Sequence, residues 1–466
     1  MSDTHHDPHH LPHDLQWTHR LDRRLIGPGG GMRHVLATVR APRETLPGHA
    51  ARRPPLDLAL VVDASGSMTG PPLAAAIEAT CGVIDRLDVR DTVTVVSFAS
   101  DVRVHVDRVR CDDTGRARAI AATRELEARG TTDLAGGWLE GCERVARGMA
   151  PGMTHEPGGP GHPGGPGHPG AGRPGSSDGH TQHRVIVLSD GYANRGLTDA
   201  AELLHHAAEL RRRGVHSSAV GIGDDYSPTQ LAAIVEGGGG RLHDAPLGQD
   251  IVAVVAGELG EILTTAADDL ELTVQHPPGL DLTVLGPYVH ETGHGTVSVH
   301  LGSLVAGASR EVVLQLAVPV GHVGERFELI LHPRWRSART GAAMSTAPLA
   351  VPIAVVDEAE VRNQPFDVAT GQRIARIWQQ RLTMESARLN ADGRCEESRR
   401  LIAGALPAFR SYCRDVPDTD HLVRQLEGDE DRYSMPLPAR DVRDAYFAMR
   451  SFLLSEQDFR TSDRRP

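Results

Sequence analysis

The sequence predicts an α/β protein: a doubly wound, Rossmann-like, mostly parallel sheet, followed by an antiparallel β-sandwich and a C-terminal helical region. Three observations predict it. Between residues 55 and 267, short continuous apolar runs alternate with segments whose apolar residues recur every three or four positions, the pattern of right-handed βαβ units. From 268 to 356 apolar and polar residues alternate with period two between Gly/Pro turns, as in stacked antiparallel sheets. From 357 to about 460 the period is helical again. The 466 residues fit about three domains, and 39% apolar with 24% charged residues excludes a wholly disordered or fibrous chain.

Residues 1–31 are His-rich (His5, His6, His9, His10) and then Gly-rich (GPGGG), a composition that predicts a disordered tail. The strand MRHVLATVRAP (32–42) and its linker to residue 54 have no evident partner in the parallel sheet. They are expected to join the sandwich, which makes the α/β domain an insertion in it. LDLALVV (56–62) reads as a buried strand. Leu73, Ile77, Cys81, Ile84 and Leu87 then mark a helix entered through Pro71 and Pro72. Strands at 93–98 and 102–106 follow, with helices near 115–128 and 134–149. A Gly/Pro/His-rich insertion at 151–183 carries His155, His162, His168, His180 and His183; it reads as a linker with incidental histidines in preference to a transition-metal chelator. Strands at 184–189, 215–223 and 240–245, with helices at 198–213, 228–236 and 248–267, complete the alternation. DLELTVQ, LDLTVLG, TVSVHL, REVVLQLAVP and RFELILH are the sandwich strands. Ile374, Ile377, Trp378 and Leu382, then Leu401, Ile402, Leu406 and Phe409, predict a helical hairpin with further helices after it.

Composition removes several function classes. A net charge of -12 argues against nucleic acid or an anionic membrane as partner. The sequence contains no Lys, which excludes Schiff-base chemistry and a P-loop lysine, so any ATPase working with this chain is a separate protein. Cys81, Cys111, Cys142, Cys395 and Cys413 are odd in number and scattered, without a CxxC pair, as expected in a reducing compartment. With neither a secretory leader nor an apolar run long enough to span a bilayer, the expected location is the cytoplasm.

The chemistry concentrates where buried strands end. LDLALVV runs into Asp63-Ala64-Ser65-Gly66-Ser67, and in an open α/β sheet the carboxyl ends of the strands are where ligands bind. Ser65 and Ser67, at alternate positions of a Gly-assisted turn, can face one point with Asp63 behind them. Gly130-Thr131-Thr132-Asp133 opens a helix, and Ser189-Asp190-Gly191 ends the next buried strand. Hard oxygen donors with few direct carboxylates suit Mg2+.

In these three loops the chain resembles a von Willebrand factor A (VWA) domain with its metal-ion-dependent adhesion site. Asp63, Ser65 and Ser67 match the family motif DxSxS, Thr132 matches its Thr (Thr131 if the loop register slips by one), and Asp190 matches its Asp. Asn194 and Gly196 resemble the bacterial branch. The resemblance implies a metal held by Asp63, Ser65, Ser67, Thr132 and Asp190, with Mg2+ as cofactor and Mn2+ as the alternative ion. It also implies a non-enzymatic module that grips an acidic residue on a protein partner. A second reading makes the chain an accessory subunit of an AAA+ ATPase, chelatase-like or MoxR-linked. A third takes His290-Glu291-Thr292-Gly293-His294, with His300, as a zinc-protease HExxH. Gly293 and Gly295 place that motif in a turn between period-two strands, not on a helix, which counts against it.

Overall fold

The computed structural model describes residues 15–43, 53–149, 180–190, 193–223, 226, 228–245, 251–286, 288–438, 440–445 and 447. The described chain begins in the sandwich, with strands β1 (Gln16–Leu21), β2 (Leu25–Ile26) and β3 (Gly31–Arg40). Here the tail expected through residue 31 is corrected. From Leu15 onward, buried Leu15, Trp17 and Leu21 alternate with exposed Gln16, Thr18 and Arg20, and β1 pairs antiparallel with β3. The run is short and set among His and Gly, so composition concealed its period of two. His5, His6, His9 and His10 lie outside the described residues.

The α/β domain follows, opening with β4 (Leu56–Asp63), α1 (Pro71–Arg86), β5 (Thr92–Phe98) and β6 (Val102–Arg110). Next come α2 (Asp113–Arg124), α3 (Leu134–Ala146), β7 (Gln182–Ser189) and α4 (Ala200–Arg212). It closes with β8 (Val215–Ile222), α5 (Pro228–Gly238), β9 (Gly239–Ala245) and α6 (Ile251–Leu263). The sheet order is β6-β5-β4-β7-β8-β9, parallel except for β6 at one edge. Helices cover both faces, so β4 and β7 are buried along their whole length. Leu58, Leu60 and Val62 pack with Ile84 and Leu259 on one face, whereas Ala59 and Val61 pack with Trp138 and Cys142 on the other. Helix α3 lies so close to the sheet that a Cβ on Gly137 would come within 2.5 Å of the Phe98 side chain. The chain turns to opposite sides of β4, toward β5 and toward β7, so the topological switch point lies between β4 and β7.

Two sequence boundaries move. The insertion does not extend to 183: β7 starts at Gln182, in register with Leu56, and His183 faces Asp57 across the ladder. The run TQHR reads as loop because it is polar, but the sandwich covers this end of the sheet. Gln182 Nε2 donates to the Ala338 carbonyl at 3.1 Å, and His183 Nδ1 lies 3.6 Å from Asp57 Oδ2. His155, His162 and His168 lie outside the described residues. Helix α6 stops at Leu263, four residues short of its expected end. The Thr264 and Thr265 hydroxyls donate to the Gly260 and Glu261 carbonyls at 2.9 and 3.0 Å, closing the last turn.

The sandwich resumes at once with β10 (Thr265–Gln275), β11 (Asp281–Leu285), β12 (His290–Gly293) and β13 (Thr296–Val305). It ends with β14 (Ser309–Val318), β15 (Arg326–Ser337), β16 (Ala343–Ser345) and β17 (Leu349–Val355). One sheet runs β1-β3-β14-β11, the other β12-β13-β10-β15-β17-β2 with β16 on β15. Since β3 pairs with β14 from Arg40↔Ser309 to Gly31↔Val318, the α/β domain is inserted between two sandwich strands. Both crossings fall at the amino end of the parallel strands. There Arg184 Nη2 of β7 donates to both oxygens of the buried Asp268 carboxylate of β10, each at 2.7 Å, and Ser303 Oγ donates to the same carboxylate.

Helices α7 (Glu358–Asn363), α8 (Val368–Ala391), α9 (Cys395–Cys413) and α10 (Asp420–Arg432) follow the sandwich. Ile374, Trp378, Leu382 and Phe409 pack on Leu36, Leu285 and Val313, the outer face of the first sandwich sheet. Residues 440–445 are helical and return to the α/β domain, where Arg443 Nη1 donates to the Gly223 carbonyl at 3.1 Å. Among the described residues, no helix is long and apolar enough to cross a membrane.

Candidate functional site

The site is built at the switch point by three loops. Strand β4 ends on Asp63, whose carboxylate organises the first loop: Oδ1 accepts from the Ser65 backbone N–H at 2.8 Å, and Oδ2 accepts from Ser189 Oγ at 2.6 Å. The Ser65 and Ser67 hydroxyls share a hydrogen bond at 3.0 Å, and Ser67 Oγ donates to Asp190 Oδ1 at 3.0 Å. Asp63, Ser65, Ser67 and Asp190, which the sequence places 127 positions apart at the extremes, are therefore one connected cluster.

The Thr131-Thr132 loop is held by main chain. The Gly66 N–H donates to the Gly130 carbonyl at 3.0 Å, and the Asp133 N–H to the Ala99 carbonyl at 2.9 Å. Thr132 is buried and Thr131 exposed. Thr132 is clamped to the loop after Asp190, since its N–H donates to Asn194 Oδ1 at 3.1 Å and the Asn194 N–H donates to its carbonyl at 3.2 Å. Asp133 is occupied elsewhere as the N-cap of α3, accepting from the Gly136 N–H at 2.9 Å.

Two features of this cluster come from structure alone. Ser189 orients Asp63 from the neighbouring strand. Gln230, near the start of α5, accepts from the Ala193 N–H at 2.9 Å and donates to the Thr198 carbonyl at 3.0 Å, bracing the loop that carries Asp190 and Asn194. No local pattern in the sequence marks Gln230.

Electrostatically the cluster is short of positive charge. Burial raises the Asp63 carboxyl above its ordinary range despite the Ser189 and Ser65 hydrogen bonds. Burial and the neighbouring Asp63 charge push Asp190 up to about 6. Among the described residues neither carboxylate forms a salt bridge. Arg129, which faces Asp63 at longer range, is held by Asp101 at 2.8 Å and by Ser97 Oγ at 3.0 Å. Two hydroxyls and two carboxylates with unneutralised charge suit a hard divalent cation. Ser65 and Ser67 bond to each other and to the Asp190 carboxylate, and among the described residues neither is paired with an imidazole as in a Ser–His couple.

The HETGH motif lies on β12 and the turn into β13, an exposed edge hairpin in which His290 pairs with Val299 and Gly293 with Thr296. His290 Nδ1 is 3.1 Å from the Tyr288 carbonyl. The two histidines do not share a helical face, so the protease geometry is not built.

A doubly wound sheet with a hydroxyl and carboxylate cluster at its switch point, set into a β-sandwich, defines an A-domain protein as a class. The family model described as von Willebrand factor type A domain matches residues 58–193, and a second model of the same description matches 173–244. Residues 58–244 thus carry a VWA domain, a kind of domain that serves generally as a protein-interaction module. Among curated proteins it is similar to the uncharacterized protein sll0103 of Synechocystis sp., 26% identical over 275 residues, or 57% of this chain and 58% of that one. The chain thus matches little more than half of that relative's length.

Among solved structures, a von Willebrand factor type A protein from Catenulispora acidiphila aligns with a TM-score of 0.60 and 17% identity, over 92% of this chain and 97% of its own. The ArnB paralog VWA2 from Sulfolobus acidocaldarius aligns with a TM-score of 0.54 and 14% identity, over 93% and 98% respectively. At these identities the likeness is one of fold. It extends over the sandwich and helices as well as the α/β domain.

Proposed function

We propose that this chain is a non-enzymatic, Mg2+-dependent protein-binding module. Asp63, Ser65, Ser67, Thr132 and Asp190 hold the ion, directly or through water, and an acidic side chain of a partner protein completes its octahedron. Mn2+ substitutes for Mg2+. The observation that carries this reading is the Asp63–Ser65–Ser67–Asp190 cluster, in which two carboxylates meet without a salt-bridge partner among the described residues. A cation held largely by hydroxyls and water stays electron-poor, so an incoming carboxylate is a strong ligand for it.

The test is a melting series on the full chain with MgCl2 and MnCl2. The wild type is expected to gain a saturable rise in melting temperature that Asp63→Ala lacks, because only the folded sheet assembles the loops. Protein captured on the immobilised chain in Mg2+ is expected to be released by EDTA. An unchanged melting curve with both ions, together with capture that survives EDTA and Asp63→Ala, overturns the reading.

A further inference from the structure

A second cluster lies at the far edge of the same sheet. His243 on β9 and Glu258 and Glu261, one helical turn apart on α6, bring an imidazole nitrogen and two carboxylate oxygens within 4.8 Å of one another. β9 is two strands beyond β7, roughly 10 Å across the sheet at the usual strand spacing, so these residues are separate from the loops around Asp63. Glu258 is fully buried. Its Oε2 lies 2.5 Å from His243 Nε2, but among the described residues its Oε1 has no hydrogen-bond partner, an arrangement that is costly for a carboxylate shut away from water. Burial opposes ionisation of Glu258, yet the His243 hydrogen bond, the charges of His243 and Arg241 and the nearby Ser218 hydroxyl keep its carboxyl below the ordinary range.

Arg241 is the competing cation. It spends its Nε on Glu261, 2.9 Å away, and comes no nearer than 3.9 Å to Glu258, so it does not supply the hydrogen bond that Oε1 lacks among the described residues. The His243 and Glu261 side chains are 22% and 43% exposed, which gives an ion a way in.

We propose that His243, Glu258 and Glu261 form a transition-metal site that takes Zn2+, with water as the fourth ligand. One imidazole and two carboxylates are a borderline donor set, suited to Zn2+ and unsuited to Mg2+, which prefers oxygen alone. On binding, the proton shared by His243 and Glu258 passes to solvent, the imidazole lone pair and a Glu258 oxygen take the metal, and Arg241 releases Glu261. The ion clamps α6, the helix that leads into β10, onto the edge strand.

Zn2+ stoichiometry and the visible absorption of Co2+ substituted for it, both measured on the full chain in excess Mg2+, test the site. Because the sequence has 25 histidines, the site is read by difference. His243→Ala and Glu258→Gln are each expected to lose one equivalent of Zn2+ and the tetrahedral Co2+ band, while Asp63→Ala keeps both. Glu261→Gln alters a partly exposed side chain, so it reads the site even if the buried Glu258→Gln variant fails to fold. Unchanged stoichiometry and spectrum in His243→Ala and Glu261→Gln would mean that other histidines hold the metal, and the site would fall.

Discussion

At the scale of single residues, burial decides what each ionisable group contributes. His216 on β8 is buried, its Nδ1 unpartnered among the described residues; burial, reinforced by the Arg184 charge, lowers its pKa to about 4. An unfolded histidine titrates near 6.5, so between these values the unfolded chain binds more protons than the folded one. The stability that neutral His216 preserves is complete above about pH 6.5 and drains away as the pH falls toward 4. The melting temperature is expected to drop across that interval, with a shallower slope in His216→Gln; an equal slope in both proteins refutes the assignment. Asp63, Ser65, Ser67 and Asp190 were legible in the sequence because each follows a continuous apolar run within five positions. Gln230 was not, because its partners at Ala193 and Thr198 lie more than thirty positions away and a glutamine near a helix start is unremarkable.

At the scale of elements, the strands and helices of the α/β domain were legible because two-sided burial imposes continuous apolar runs and helical periods. Errors arose where one element borrows its environment from another. Gln182 and His183 are strand residues only because the sandwich seals that end of the sheet, and β1 is a strand only because β3 is there to pair with it. The same dependence operates at the site, where α5 braces the Asp190 loop through Gln230. Gln230→Ala is expected to leave the fold intact and to cost about 1 kcal/mol of loop order, the size of a typical lost hydrogen bond. It should weaken Mg2+ severalfold in a melting titration while barely moving the melting temperature without the ion. Mg2+ affinity equal to wild type contradicts the bracing role.

At the scale of the whole molecule, the buried Arg184–Asp268 pair joins the Gln182–Ala338 hydrogen bond in closing the joint between the α/β domain and the sandwich. The charge of Arg184 and the hydrogen bonds from Arg184 and Ser303 outweigh burial and hold the Asp268 carboxyl well below its usual range. Arg184→Met leaves that carboxylate buried without its cation, which costs about 3–5 kcal/mol. Calorimetry is expected to show a lower melting temperature and, as the joint loosens, separate transitions for the two parts. A single transition at the wild-type temperature shows that the pair is dispensable. Sequence could not pair these two residues. It implied that residues 32–42 return to the sandwich, but not which side chains would close the joint, because that depends on how two separately folded surfaces meet.

Both crossings between sandwich and α/β domain fall at the amino end of the parallel strands, and the Asp63 cluster lies at the carboxyl end. In the proposed function, a ligand pulling on the cluster loads β4 and β7 lengthwise, and the resistance comes from two anchor points on the same far side. Hydrogen bonds between neighbouring strands then share the tension in shear instead of opening one after another. In mechanical terms the inserted domain is a hook whose shank is the sheet itself, and the sandwich is the block in which it is set.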